Sequence, residues 1–227
     1  MRICHFDFSK PIELKCGSAV LVAENPNKFL QYCQDFISQQ SGGEGSFIVD
    51  DDGKTLVFKK VGSIIFDLLN LSLNDKKIIT GVYDRIEKIA SEDYALDYSD
   101  IKSRILSFID MISIDSPLQI EYNADFCLQD VLKAIKVQPC EEDRSLICKV
   151  ADYLDATADF LGTRIFVLVN LRTFVTDEDF SMLLTHISHS NYAVLFLERV
   201  QYDRVKNEPV RIIDNDLCEI IVENEFV

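Results

Sequence analysis

The chain has 227 residues, of which 48% are hydrophobic, so it is long enough to bury a sizeable core and its composition excludes a disordered protein. Its formal net charge is -15, from 38 acidic residues against 23 lysines and arginines. Such a balance argues against a broadly basic nucleic-acid-binding domain, because phosphate contacts need clustered Lys and Arg.

The first sixty residues predict alternating strands and helices. Strands are predicted at residues 3–8 and 12–14, which flank Lys10-Pro11 as a hairpin, and at residues 20–22, 47–49 and 55–58. Asn25-Pro26 ends the third of these strands and begins a helix, since proline is tolerated in a first helical turn. Apolar residues recur at spacings of three and four from Phe29 to Ile37, which gives that helix one apolar face.

From residue 61 to residue 137 the strand signals nearly vanish and helical periods replace them. A helix is predicted at residues 75–91, and a second has Ile101, Ile105, Phe108, Ile109 and Ile112 on one face. We expect Asp97 or Ser99 to cap the second helix, and Asp125 to cap a short third helix over residues 126–136.

The alternating pattern returns in the last ninety residues. Helices are predicted at residues 142–161, ending at Gly162, and from Thr176 to about Ser188. Two fully apolar runs, residues 165–169 and 193–197, have the composition of central strands in a parallel sheet. Residues 211–213 and 217–222 predict a closing hairpin. The fold class is therefore α/β, with a head domain formed by residues 1–60 and 138–227 and an inserted α-helical domain over residues 61–137.

Known catalytic motifs are absent from the sequence. A P-loop needs GxxxxGK[ST] after a strand, so that backbone amides and a lysine hold the phosphates. Here the strand is followed by Glu24-Asn25-Pro26, and the glycine-rich segment 42–46 contains no lysine. Asn170 stands where a magnesium-binding aspartate would be expected. We therefore expect no enzymatic activity, and an active or degenerate NTPase is the third of three functional hypotheses.

The histidines and cysteines give weak signals. His186 and His189 lie three apart on one predicted helix and could share a metal, but histidines near a helix C-terminus more often interact with its dipole. None of the seven cysteines forms a CxxC pair, which is typical of reduced thiols in a cytosolic protein.

The first ten residues lack the apolar segment of a secretory signal, and no apolar run is long enough to span a bilayer. We expect a soluble cytoplasmic protein without a membrane span.

Five segments together resemble one known protein family. They are GSAVLVAEN (residues 17–25), IEYNADFCLQDVLKAIKV (120–137), VLVNLRTFVTDEDF (167–180), NYAVLFLERVQYD (191–203) and RIIDNDLCEIIV (211–222). In their order and spacing they are similar to the type II-A CRISPR adaptation protein family (Csn-two), over roughly residues 1–222. The resemblance implies a P-loop-like parallel-sheet head without a nucleotide site and an inserted helical leg.

The resemblance also implies a function and partners. Members of this family are ring-shaped homotetramers that encircle double-stranded DNA, thread onto its free ends and hold Ca²⁺, without known catalytic activity. The expected role is in acquiring new spacers, together with the CRISPR spacer integrase and the effector nuclease, in the cytoplasm of a prokaryote. The alternative is a protein-interaction scaffold of the adaptation complex that makes no direct contact with DNA.

Two sets of site residues follow from this comparison. Calcium takes six to eight oxygen ligands, and the predicted ligands are Glu121, Asn123, Asp125 and Asp130. This segment departs from the family, which has more carboxylates here, because the chain has Gln119 and Asn123 at two of those places. In a chain this acidic, contact with DNA requires that a ring gather cations on its inner face. The cations predicted to contact DNA are Lys54, Lys59, Lys60, Arg104, Lys133 and Lys136.

Overall fold

The computed structural model describes residues 1–14, 17–140, 144–205 and 208–222. The chain divides into two compact units, one made of residues 1–73 and 141–227 and the other of residues 74–140. The α/β class predicted from the sequence is confirmed, with a mixed parallel and antiparallel sheet.

The first unit contains two sheets and four helices among its described residues. In chain order they are β1 (Arg2–Cys4), β2 (Ile12–Glu13), β3 (Ser18–Ala23), α1 (Pro26–Ser41), β4 (Ile48–Asp51), β5 (Lys54–Leu56), α2 (Phe58–Val61) and β6 (Gly62–Ile65). After the second unit they continue with α6 (Leu146–Leu161), β7 (Ile165–Val169), a 3-10 turn (Leu171–Thr173), α7 (Asp177–Ser188), β8 (Ala193–Glu198), β9 (Val210–Ile213) and β10 (Glu219–Val222). The labels α3 to α5 belong to the second unit.

The larger sheet has six strands in the order β10-β9-β3-β8-β7-β6. Four of its five strand pairings are parallel, and that of β10 with β9 is antiparallel. The smaller sheet has the order β2-β1-β4-β5 and is antiparallel throughout. The predicted hairpins at both ends of the chain are therefore confirmed.

Alternate residues of the central strands enter two different cores. Leu21, Val167 and Leu195 pack with α1 and the smaller sheet on one face, and Phe166 and Phe196 pack with α6 and α7 on the other. Because successive side chains of a strand point to opposite faces, a strand covered on both faces must be apolar at every position. This is why the runs of β7 and β8 contain no polar residue before Glu198.

The second unit consists of α3 (Lys76–Glu92), α4 (Ala95–Ile114) and α5 (Leu128–Ala134), with no strand among its described residues. Asp75 caps α3 by accepting the backbone N–H of Lys77 at 2.8 Å. The helix predicted at residues 75–91 is thus confirmed to within a residue.

Several boundaries differ from those predicted. Gly62–Ile65 is not part of a helical domain but pairs in parallel with β7 as an edge strand, and the second unit begins at Asn74 rather than at residue 61. Four residues are too few to reveal a period, so burial in the sheet decides their conformation. The strand predicted at residues 55–58 ends at Leu56, and Phe58 already belongs to α2.

Two predicted helix caps are wrong. The helix α4 begins at Ala95, so Asp97 and Ser99 lie inside its first turns. The helix α5 begins at Leu128 and is capped by Cys127, whose backbone N–H donates to Asp130 at 3.2 Å. Asp125 is therefore not the cap. Thr176, by contrast, caps α7 as expected, with Oγ1 accepting the N–H of Asp179 at 3.2 Å.

In the ranges described above, no helix is both long and apolar enough to cross a membrane. Six of the seven cysteines fall in these ranges, and each is a free thiol. Cys16 and residues 142–143 of the predicted helix 142–161 lie outside the described residues. That helix begins at Leu146 and ends at Gly162 in a left-handed conformation (φ 70°), as its C-terminal glycine predicted.

Candidate nucleic-acid interface

Asn25 occupies the turn between β3 and α1, where P-loop proteins bind nucleotide phosphates. Its Oδ1 accepts the backbone N–H groups of Asn27 at 3.0 Å and Lys28 at 3.3 Å. Pro26, the first residue of α1, has no N–H to offer. The Asn25 side chain thus uses the amides that would hold a phosphate, so residues 24–28 provide no amide cradle.

Arg172 and Glu198 form a buried polar pair at the carboxyl ends of β7 and β8. Arg172 is 6% exposed and Glu198 1% exposed. Oε1 of Glu198 accepts the backbone N–H of Arg172 at 3.1 Å, whereas Oε2 has no hydrogen-bond partner among the described residues. Burial raises the pKa of Glu198 to about 7, because the low-dielectric interior penalises the carboxylate more than the nearby guanidinium stabilises it.

The Arg172 guanidinium connects two segments that follow the sheet. It donates to Asp177 at the start of α7 and to the backbone carbonyl of Asp203 at 3.4 Å. Its central carbon lies 4.3 Å from the centre of the Phe180 ring and 5.0 Å from that of Tyr202. This cluster was not predicted from the sequence, although one signal was present: an acidic residue ends the otherwise apolar strand β8.

Three of the predicted DNA-contacting cations belong to the first unit and lie within seven residues of one another in the sequence. Lys54 begins β5, and Lys59 and Lys60 lie on α2; all three are exposed. The ammonium group of Lys59 lies against Gly42, the residue that caps the C-terminus of α1. A cation there also stabilises the helix dipole, so Lys59 has a structural role besides any contact with DNA.

The other three predicted cations lie in the second unit. Arg104 is exposed on α4 and forms an ion pair with Asp100 at 3.0 Å, one helical turn away. Lys133 and Lys136 lie at the end of α5 and line one cavity. The same cavity is lined by Lys76, which our sequence analysis did not single out because it lies far from them in the sequence.

Three of the predicted calcium ligands, Glu121, Asn123 and Asp125, precede α5, and the fourth, Asp130, lies in its first turn; all four are exposed. Asn123 Oδ1 accepts the backbone N–H of Asp125 at 2.9 Å, and the Asp125 carboxylate lies 3.5 Å from the Lys102 ammonium. Asp130 accepts the thiol and the N–H of Cys127, which hold the pKa of that carboxyl below its usual range.

Among the described residues there is no group of three or more His, Cys, Asp or Glu that could hold a metal ion. The carboxylates of Asp125 and Asp130 are each directed to another group of the chain, as given above. Calcium binding by this segment stays a prediction.

His186 and His189 do not face a common metal position. His186 Nε2 lies 3.0 Å from Asp155 Oδ1 on α6, whereas His189 Nδ1 lies 2.8 Å from the carbonyl of Thr185 on its own helix. Both are at the C-terminal end of α7. Their placement is that of histidines that interact with a helix terminus.

Together, the fold and these groups define an α/β protein with a separate unit of three helices and exposed cations on both units. A sequence model of the family described as CRISPR-associated protein (Cas_Csn2) matches residues 39–217. The chain belongs to this type II-A family, which implies a role in CRISPR adaptation. The match extends through the whole of the second unit.

Proposed function

We propose that the protein binds the ends of double-stranded DNA without reading their sequence, as a ring-shaped homotetramer that acts in spacer acquisition. The proposal includes a non-enzymatic role in a prokaryotic cytoplasm, a P-loop-like head and an inserted leg, as in the resemblance given above. Its partners would be the spacer integrase and the effector nuclease.

The observation that carries the proposal is the apolar face of α4. This helix has 20 residues, none of which is buried in the single chain. Its exposed apolar side chains are Leu96, Ile101, Phe108, Met111, Ile112 and Ile114. So many exposed apolar side chains on one helix of a protein of net charge -15 are typical of a protein–protein interface. A second copy of the same chain is the partner that a homotetramer requires.

Contact with DNA is supported by cations rather than by the overall charge. An acidic chain repels duplex DNA over most of its surface, so binding requires that Lys and Arg from several copies act on one region. Lys54, Lys59 and Lys60 supply such a group in the first unit, and Lys133 and Lys136 in the second. Contacts to phosphates alone give binding without sequence preference.

The experiment that tests the proposal compares DNA topologies. In gel-shift assays, a ring should bind linear duplexes of any sequence but bind covalently closed circles weakly, because DNA must enter through an end. A single cut in the circle should restore binding, and bulky blocks at both ends of a linear duplex should abolish it. Equal affinity for relaxed circles and linear DNA would exclude threading.

The alternative is a scaffold that binds other adaptation proteins and not DNA. The net charge of -15 favours it, as does the pairing of Arg104 with Asp100. In the same assay a scaffold would shift neither linear nor circular duplex. Calcium is the remaining part of the proposal; its support is the family resemblance, and no step of DNA binding is assigned to it here.

A further inference from the structure

A partly open cavity of about 600 Å³ lies within the second unit, between the first two turns of α3 and the end of α5. Ten residues line it, of which three are lysines and none is Asp or Glu. Residues 74–140 as a whole carry 8 Lys and Arg against 12 Asp and Glu. The cavity therefore concentrates positive charge in a unit that is otherwise acidic.

Three of the five neutral side chains that could donate into the cavity, those of Thr80, Tyr83 and Gln129, already donate within the protein. The hydroxyl of Tyr83 donates to the Val137 carbonyl at 2.8 Å, and that of Thr80 donates to the Lys76 carbonyl at 2.8 Å. The side-chain amide of Gln129 donates to two carboxylates of α3, each at 2.8 Å. The lysine ammonium groups are thus the donors best placed to meet a ligand.

The three ammonium groups are not neutralised by close carboxylates of the described residues. Lys133 has the nearest one, Asp130, at 3.9 Å, which is a weak exposed contact. In the described part of the chain, no carboxylate oxygen lies within 4.0 Å, the limit for an ion pair, of the ammonium nitrogen of Lys76 or of Lys136. An anion in the cavity would therefore not have to displace a strong internal partner.

Lys136 holds an unusual backbone conformation. Its φ of 56° is left-handed, which is strained for a residue with a Cβ atom. The position follows the end of α5, where the N–H of Val137 closes the helix on the carbonyl of Leu132 at 3.0 Å. Glycine is the residue that most often occupies such a position. A lysine there strains the turn, but it brings a third cation to the cavity.

We propose that this cavity binds a phosphate group. A phosphate presents several anionic oxygens at once, so it can accept charge-assisted hydrogen bonds from all three lysines, whereas a single carboxylate has fewer positions for them. The group can come from a free nucleotide or from the terminal phosphate of a DNA end. In the second case the site deepens the proposed function and rests on it; in the first it is independent of DNA.

Isothermal titration of the full-length protein with inorganic pyrophosphate, at low salt, tests the site directly. We expect Lys76→Gln and Lys133→Gln each to weaken binding about tenfold, since each removes one charge-assisted contact. The matched control is Lys77→Gln, which removes an adjacent exposed lysine of α3 that does not line the cavity. Absence of binding by the unmodified protein, or an equal loss in the Lys77 variant, would overturn the proposal.

Lys136→Gly separates binding from folding. Glycine relieves the left-handed strain at this position, so the midpoint of thermal unfolding should stay the same or rise. The affinity for pyrophosphate should nevertheless fall about tenfold, because a cation is lost. A purely structural role for Lys136 predicts unchanged affinity, and that outcome would remove it from the site.

Competition experiments identify the source of the phosphate. Displacement of pyrophosphate by a 5′-phosphorylated duplex, but not by the same duplex with 5′-hydroxyl ends, would assign the site to DNA ends. Displacement by a mononucleotide alone would assign it to a small molecule. If the protein binds pyrophosphate but no linear duplex in any assay, the proposed function fails while the phosphate site stands.

Discussion

At the scale of single residues, Glu198 is a buried group whose ionisation is coupled to the fold. Its carboxyl is almost fully buried, and one oxygen lacks a hydrogen-bond partner among the described residues. Burial raises its pKa from the ordinary 4.5 to about 7. The native state therefore binds this proton more tightly than the unfolded chain does, so the proton stabilises the fold. That stabilisation is complete below about pH 4.5 and is lost as the pH rises through about 7.

Glu198→Gln should remove this pH dependence. Glutamine keeps an oxygen to accept the N–H of Arg172 and carries no charge. The difference in unfolding free energy between the variant and the original protein should therefore grow in favour of the variant by about 3 kcal/mol as the pH rises from 5 to 8. Urea unfolding at several pH values measures the difference. Glu13→Gln, on the exposed side of β2, is the control and should give a nearly constant difference. If the unfolding free energies of Glu198→Gln and the original protein change with pH in the same way, the raised pKa of Glu198 is contradicted.

Glu121 tests the calcium prediction at the same scale. If calcium assists DNA binding through the segment before α5, Ca²⁺ should tighten duplex binding by the original protein and leave Glu121→Ala unaffected, since oxygen ligands are lost. Fluorescence titration of a labelled linear duplex, with Ca²⁺ or with a chelator, measures this. Glu92→Ala removes an equally exposed carboxylate from the end of α3 and serves as the control. If chelation changes neither affinity nor assembly of the original protein, the site has no functional metal.

At the scale of elements, the question at the start of α1 is whether its backbone N–H groups are used by the Asn25 cap or can bind a phosphate. Asn25→Ala removes the acceptor for two backbone N–H groups and should cost about 1 kcal/mol of unfolding free energy. Asn25→Asp keeps the acceptor and should retain most of that stability. Thermal unfolding with and without ATP completes the test: any shift of the midpoint by ATP should be the same in the original protein and in Asn25→Ala, because no phosphate binds at this turn. A stabilisation by ATP that Lys76→Gln and Lys133→Gln leave unchanged would revive the NTPase hypothesis.

At the scale of the whole molecule, the apolar face of α4 predicts self-association. Multi-angle light scattering should give about 104 kDa, the mass of four 25.9 kDa chains. Phe108→Asp places a charge on the exposed apolar face and should reduce the mass, because burying that charge in an interface is unfavourable. Ser99→Asp, at an exposed position nine residues from Phe108 and therefore on the opposite side of α4, should leave the mass unchanged. A 25.9 kDa species for the original protein, with and without calcium, would contradict the tetramer.

Much of the fold follows from patterns that the sequence displays locally. The apolar runs of β7 and β8, the Thr176 cap of α7 and the period of α3 each lie within one element, so the sequence predicts them to within one or two residues. The helical domain was predicted to begin at residue 61, and this boundary differs from the observed one for the opposite reason. Gly62–Ile65 has no period of its own, and its strand conformation comes from pairing with β7, which lies a hundred residues further along the chain.

The sequence by itself determined the α/β class, the family and the missing phosphate loop, because each depends on the order of residues along the chain. Only the tertiary structure brought Lys76 to the cavity of Lys133 and Lys136, and placed Arg172 against Glu198 in the interior. Residues far apart in sequence become neighbours through the packing of whole elements. The burial that raises the pKa of Glu198 exists only once that packing has formed.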